Sequence, residues 1–441
     1  MVSSTRQDRD FEQHLASDRG GEGTVQSGVD ASAFVRQRRT CRVCKSSSID
    51  LVLDYGLMPL AGGFVEVHDP SQLWKFPLQL GRCRECTLMM TLQDIDPKML
   101  FSQYMYSSSS SPALVYHFEN LAQVIASRVD LTGRLCIDVG SNDGILLRPL
   151  RRLGGKPLGV DPSDVAKRAS EKYDLPLVNE FLTPEVANRI RGEYGIPRVI
   201  TACNVLAHLP DPHSLVQSLE VLSGPETIIF IEVHYQGSLL GALQYDTVYH
   251  EHTCYYSLGA LKHLLSQHGF EIRNFELVSN HGGSIRVVAG LSKSSRSSFS
   301  TDQIVEFEKS QYDPEFGEKA SRMKQALVEE VKYRRAQGRT IYGYGASGRG
   351  TILLNWCGFT NEDIPIVVDR SPLRVGKVIP GVIIPIRPVD EVSFGDSLGK
   401  YLLVDPDIFL LTAWNYGPSI ISQHPFYRGK WLAPLPKVGY V

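Results

Sequence analysis

With 441 residues the chain exceeds what one hydrophobic core organises, so two or three domains are expected. Hydrophobic residues make up 42% and charged residues 21%, and a net charge of -2 gives no basic excess to attract nucleic acid or an anionic membrane surface. No apolar run is long enough to cross a bilayer, and Met1 to Gly20 is polar where an export signal needs an apolar core, so a soluble cytoplasmic protein is expected.

In chain order, residues 1–35 are rich in Ser, Gly, Asp, Glu and Arg and read as a disordered arm, because they cannot bury enough apolar surface to offset ordering entropy. Residues 36–100 read as a small metal-pinned module. Short β-prone runs, Ile49 to Leu53 and Trp74 to Leu80, lie between two Cys-x-x-Cys pairs, with turns at Gly56, Gly62 and Gly63. Cys41 with Cys44 and Cys83 with Cys86 offer the four thiolates of a closed tetrahedral zinc site. Redox dithiols or free thiols are the alternatives, but a redox pair belongs at a strand-to-helix turn. Cys136, Cys203, Cys254 and Cys357 sit in apolar or mixed surroundings and read as buried, inert thiols.

Over residues 101–299 helices alternate with short apolar strands at Arg134 to Val139, Pro157 to Val160, Arg198 to Thr201 and Thr227 to Glu232. This is the pattern of βαβ units and a parallel sheet covered on both faces. Leu135 to Gly144 reads LCIDVGSNDG: a buried strand ending at Asp138, then a turn through Gly140, Asn142 and Gly144 into a helix beginning near Ile145. Small residues there let a ligand approach the backbone, and the helix N-terminus offers free amides. An acid at the strand end followed by Gly-x-Asn-x-Gly suits an adenosyl amino acid better than a pyrophosphate. About twenty residues on, Asp161 ends the next strand where a ribose diol would be gripped. A purely structural Asp138, capping the turn, is the alternative. The stretch Tyr104 to Ser111 admits two readings: a flap over the ligand, with Tyr104 among its contacts, or a flexible linker.

Gln244 to Tyr256 reads QYDTVYHEHTCYY and sets Tyr249, His250, Glu251 and His252 in succession. Histidine suits proton transfer near neutral pH, and a neighbouring acid and phenol can tune it or bind an oxyanion. His208, after the strand-end sequence Asn204 to Ala207, should reach the same carboxyl edge of the sheet. Metal ligation by His250, Glu251 and His252, or a solvated polar loop, are the other readings. Residues 300–338 form a charged helical linker, and residues 339–441 resume the alternation with strands at Thr340 to Tyr344, Ile364 to Val368, Tyr401 to Leu403 and Ile408 to Leu411. Gly343, Gly345 and Gly348 complete a G-x-G-x-x-G, and Asp369 ends the next strand, so this second Rossmann-like domain carries a dinucleotide fingerprint.

Together these segments resemble the sugar C-methyltransferases of antibiotic deoxysugar biosynthesis, which methylate C3 or C5 of thymidine-diphosphate 4-keto sugars. IDVGSNDG, NVLAHLPD, YDTVYHEH, HGGSIRV, GYGASGRG, VVDRSP and TAWNY carry the resemblance beside the paired cysteines, over nearly the whole chain after residue 38. It implies an α/β protein with a structural zinc at Cys41, Cys44, Cys83 and Cys86, and S-adenosylmethionine bound by Asp138, Gly140, Asn142, Gly144, Asp161 and Tyr104. The C-terminal domain would help bind a dTDP-linked sugar, with C3 favoured as the methylated carbon and a monomer as the expected state. His252 would be the general base, with Tyr249, Glu251 and His208 around it. His234 stands where the family pattern leads one to expect proline. An NAD-dependent sugar oxidoreductase, favoured by the second fingerprint, and a catalytically silent S-adenosylmethionine-binding scaffold are the rival functions.

Overall fold

The computed structural model describes residues 34–69, 74–96, 99–100, 108–292, 301–309, 313–395 and 401–441. Most of the arm expected over residues 1–35, and Tyr104, lie outside the described residues. Val35, inside that arm, already belongs to β1 (Val35–Gln37), which pairs antiparallel with β5 (Gln93–Ile95).

The cysteine module is an antiparallel sheet of β2 (Ile49–Met58), β3 (Phe76–Cys83) and β4 (Met89–Thr91). β2 runs past the expected Leu53 because register shifts near Leu51 and Asp54 bend it around β3, as bulges do. Its fourth strand arrives from far along the chain: β11 (Cys254–Tyr255) pairs with β4, Cys254 opposite Met90 and Tyr255 opposite Met89. The segment bearing Tyr249 to His252 is thereby stitched into the cysteine module.

The second sheet has the order β12-β13-β10-β9-β6-β7-β8. Its parallel strands are β6 (Leu135–Val139), β7 (Lys156–Val160), β8 (Leu177–Val178), β9 (Val199–Cys203) and β10 (Ile228–His234). β13 (Ser284–Leu291) pairs antiparallel with both β10 and β12 (Phe270–Val278). The chain leaves β6 for β7 on one side and later returns to β9 on the other, so a crevice opens at the carboxyl ends of β6 and β9.

The third sheet repeats this logic in the order β16-β17-β15-β14-β18-β19-β20. β14 (Ile341–Tyr344), β15 (Val367–Asp369), β17 (Ile384–Pro388), β18 (Ile408–Leu411) and β19 (Lys430–Ala433) are parallel; β16 (Val378–Ile379) and β20 (Gly439–Tyr440) are antiparallel edges. Tyr401 to Leu403 is not a strand: Leu403 makes only an isolated bridge to Val392. The charged stretch before this sheet is two helices, Thr301–Lys309 and Phe316–Ala336, with Pro314 between them disfavouring helical backbone before it.

Four apolar cores are found among the described residues, and the cysteine module contributes to the two largest. Cys41, Val43, Cys83 and Leu88 pack with the second sheet's strands and helices, whereas Tyr55, Met58, Leu78 and Leu80 pack with the third sheet and the helix Phe316–Ala336. The module is therefore the mechanical joint between the two sheets. Cys136 and Cys357 are buried as expected, and burial pushes each thiol up to about 12; Cys203 and Cys254 are likewise raised by burial. No helix among the described residues is long and apolar enough to cross a membrane.

Candidate active site

At the first crevice, β6 leads directly into Gly140, whose φ of +71° and whose absent Cβ, which would meet Val205 Cγ2 at 2.5 Å, make glycine mandatory. Its amide donates to Val160 O at 2.8 Å. Asp161 holds the turn with both oxygens, accepting from Asn142 N and Ser163 N at 2.8 Å. The third sheet uses the same device: Gly345 N donates to Val368 O at 2.8 Å, and Asp369 accepts from Ala346 N and Ser371 N at 2.7 Å.

Asp138 is sealed under the turn, its Oδ1 accepting from Thr201 Oγ1 at 2.6 Å; burial, with Asp161 nearby, pushes its carboxyl up to about 7. The Asn142 side chain accepts from Ser108 N at 3.0 Å and Asp143 Oδ2 from Ser109 N at 2.7 Å, so the described end of the Tyr104 to Ser111 stretch docks on the glycine turn. Asn142 (φ +47°) and Gly144 (φ +72°) both adopt left-handed backbone, and the helix accordingly starts at Leu147 (Leu147–Arg152), two residues later than expected.

His208 and His252 meet at the carboxyl edge, ring centroids 4.9 Å apart. His208 sits on the short turn Leu206–His208 that follows β9, as its place after the strand suggested. Its Nδ1 lies 2.8 Å from Glu251 O, and since a carbonyl only accepts, Nδ1 carries the proton and Nε2 the lone pair. His252 Nδ1 likewise donates to Thr247 O at 3.3 Å, leaving its Nε2 lone pair 2.9 Å from the Tyr249 hydroxyl. Burial, reinforced by His208 and His234, holds His252 well below the usual imidazole range, so the ring is neutral. Glu251 Oε1 accepts from Gly62 N at 2.9 Å, and burial raises its carboxyl.

His250 faces the other way. Its Nε2 donates to Pro77 O at 3.0 Å inside the cysteine module, and burial lowers it to about 4. The metal reading of Tyr249 to His252 fails on this geometry: among the described residues the four cysteines are the group that could hold an ion.

Sequence reasoning missed the groups that hold this cluster. Asp246, fully buried, accepts from Arg349 Nε at 3.0 Å, Arg349 Nη2 at 2.8 Å and Trp414 Nε1 at 2.7 Å, and the Arg349 guanidinium lies 4.7 Å over the Trp414 ring. Arg349 follows the third glycine of the second fingerprint, on the helix Gly348–Cys357. That helix start abuts Ala61 and Tyr249: a Cβ on Gly348 would lie 3.3 Å from Ala61 Cβ and 3.7 Å from Tyr249 Cζ. Beside them Glu232, at 0% exposure, accepts from Arg286 Nε at 2.9 Å and His117 Nε2 at 2.7 Å. Burial alone would raise this carboxyl, and the two cationic-side partners bring it below the usual range. An acid inside an apolar strand and an arginine directly after a glycine motif are the signals that mark these positions.

The cysteine sulfurs all lie within 4.8 Å of one another, Cys41 to Cys86 and Cys44 to Cys83 at 3.4 Å. Zinc–sulfur bonds of about 2.3 Å put tetrahedral sulfurs roughly 3.8 Å apart, so the donor set fits. The first knuckle is locked from both sides: Arg42 Nη1 reaches Asp94 at 2.6 Å and Pro210 O at 3.0 Å, and His213 Nε2 donates to Val43 O at 2.7 Å.

Known proteins share this layout segment by segment. A zinc binding domain family matches residues 41–101, a methyltransferase domain family residues 116–274, and a C-methyltransferase C-terminal domain family residues 279–436. The fold and its cofactor crevice are those of an S-adenosylmethionine-dependent methyltransferase with a structural zinc. The C-methyltransferase NovU of Streptomyces niveus is 32% identical over 416 residues, covering 92% of this chain and 97% of that one, and this chain belongs to the C-methyltransferase family. A ubiquinone biosynthesis O-methyltransferase of Actinobacillus pleuropneumoniae is 33% identical over 106 residues, 23% of this chain and 45% of that one. The magnesium protoporphyrin IX methyltransferase of Synechocystis with bound SAM overlaps 40% of this chain and 78% of its own at 15% identity, with a TM-score of 0.31. Full-length kinship with a C-methyltransferase answers the oxidoreductase alternative raised by the second fingerprint.

Two outcomes follow from this geometry. Replacing Cys86 by Ser should abolish stoichiometric zinc in elemental analysis and lower Tm by roughly 10 °C, because metal binding is folding free energy for so small a module; unchanged zinc content would contradict the four-thiolate assignment. Asp246→Leu should cost about 3–5 kcal/mol in denaturant unfolding by stranding a buried guanidinium, while Asp246→Leu with Arg349→Met should cost less than the single change. Additive losses would show that the pair is not coupled.

Proposed function

We propose that the chain methylates a ring carbon, C3 in preference to C5, of a 4-keto-deoxysugar carried on a nucleoside diphosphate, thymidine diphosphate by residue-level resemblance, as a monomeric cytoplasmic enzyme. One observation carries the reading: a neutral His252 with its tautomer fixed by Thr247 O and its Nε2 lone pair facing a phenol. A carbon nucleophile has to be made by removing a proton alpha to a carbonyl, and this is the arrangement that does it.

S-adenosylmethionine, when bound, supplies an electrophilic methyl group. The backbone of Gly140 to Gly144 and the carboxylate of Asp161 would hold it, with Asp138 supporting the turn from beneath. His252 Nε2 takes the proton from the carbon next to the ketone, and the C–H electron pair becomes the enolate. Tyr249, whose hydroxyl rests on His252 Nε2, can turn its proton to the enolate oxygen as that lone pair is consumed. His208, with its lone pair on Nε2, would accept from a sugar hydroxyl rather than steady the oxyanion. Glu251 links Gly62 to the cluster, and its Oε2 has no hydrogen-bond partner among the described residues.

Incubation with a panel of thymidine-diphosphate 4-keto sugars and methyl-deuterated S-adenosylmethionine should place the label on a ring carbon of one sugar. Label on oxygen, or none while the donor binds, would overturn the acceptor. The pH profile gives an independent check. The active base is the deprotonated form, and its pKa is lowered in the folded site, so kcat/KM should persist from pH 7 down through about 6.5, where an ordinary histidine is half protonated. An acid limb at or above that value would contradict the buried, neutral His252.

A further inference from the structure

β10 ends on His234, at the carboxyl edge that also presents His208 and His252. The ring is 6% exposed, and its Nε2 is buried with no hydrogen-bond partner among the described residues. Its neighbours at this edge are otherwise anchored. His208 and His252 each commit Nδ1 to a backbone carbonyl, and His117 commits Nε2 to Glu232. A buried imidazole nitrogen left without a partner is destabilising unless something else meets it.

The surroundings narrow what that can be. His234 and His252 pack on the same Tyr255 ring, at centroid distances of 6.1 Å and 6.2 Å. Arg349, His281 and His252 are the charged or titratable groups close enough to act on it, and burial, then Arg349 and His281, lower it to about 3. The ring is thus neutral and bears one donor and one acceptor. No oxygen among the described residues meets its Nε2, so that nitrogen can donate to a carbonyl or accept from a hydroxyl as the tautomer requires.

We infer that His234 hydrogen-bonds a polar ring substituent of the acceptor sugar and sets which acceptor is taken; this rests on the sugar reading above. A site built to pair such a group rejects an analogue lacking it, because its own nitrogen is then stranded.

The test compares kcat/KM and nucleotide-sugar Kd for two thymidine-diphosphate 4-keto sugars that differ by one ring hydroxyl or amino group, in the parent, His234→Leu and His234→Gln. The parent should prefer the substituted sugar by about tenfold or more. His234→Leu should bring that ratio near one, chiefly through KM and Kd, with S-adenosylmethionine affinity unchanged. His234→Gln, which keeps a donor and an acceptor, should recover part of the preference and guards against a leucine variant that does not fold. Equal losses on both sugars in both variants, or a parallel loss of S-adenosylmethionine affinity, would overturn the assignment. If the parent methylates neither sugar nor any other 4-keto sugar, the sugar reading itself falls and this inference falls with it.

Discussion

A single buried carboxylate ties the molecule together. Asp246 takes three nitrogen donors from Arg349 and Trp414, both on the third sheet's side, while standing three residues before Tyr249. From the other side the same segment feeds β11 into the cysteine module and lays Glu251 on Gly62. The residues proposed to react are thus clamped between elements that are distant in sequence. A charge so buried is costly unless its partner stays in place, so any loosening of the third sheet would be felt at His252. The two units joined to the methyltransferase sheet thus both hold the turn that bears Tyr249 to His252.

The electrostatics follow one rule. Low dielectric around His208, His234, His252 and His281 disfavours the imidazolium form of each, and neighbouring histidines add to it at His234, His252 and His281. A set of neutral imidazoles suits chemistry in which one must accept a proton from carbon while no neighbour carries a competing charge. The buried carboxylates nearby are each paired: Glu232 accepts from Arg286 and His117, and Asp246 from Arg349 and Trp414. Zinc held by the four cysteines would act at a distance: closing the two knuckles would steady β3 and the β4 strand paired with it, and β4 receives β11.

Much of this was legible in the residues. The strand and glycine turn of LCIDVGSNDG, Asp161, and the four cysteines are local patterns, and local patterns survive translation into structure: Gly140 needs its positive φ, and paired cysteines chelate wherever the chain puts them. Long-range pairing was not legible. β11 is two residues long and reads as nothing until β4 lies beside it, and Tyr401 to Leu403 has the composition of a strand but only an isolated bridge to Val392. Sequence also could not separate His250 from His252. Residues two apart would share a face of a strand, but here the chain turns, sending His250 to Pro77 O in the module and His252 to the edge beside His208, and only the packed structure shows which. Arg349 drew no role from its place beside the glycine fingerprint because its partner, Asp246, lies about a hundred residues away.

The most direct test of deprotonation by His252 separates that step from methyl transfer. In D2O, with S-adenosylhomocysteine in place of the donor, the parent should exchange the proton on the carbon next to the acceptor's ketone for deuterium, read by mass spectrometry, while His252→Ala exchanges no faster than the sugar alone. Exchange by His252→Ala at the parent rate would show that another group takes the proton.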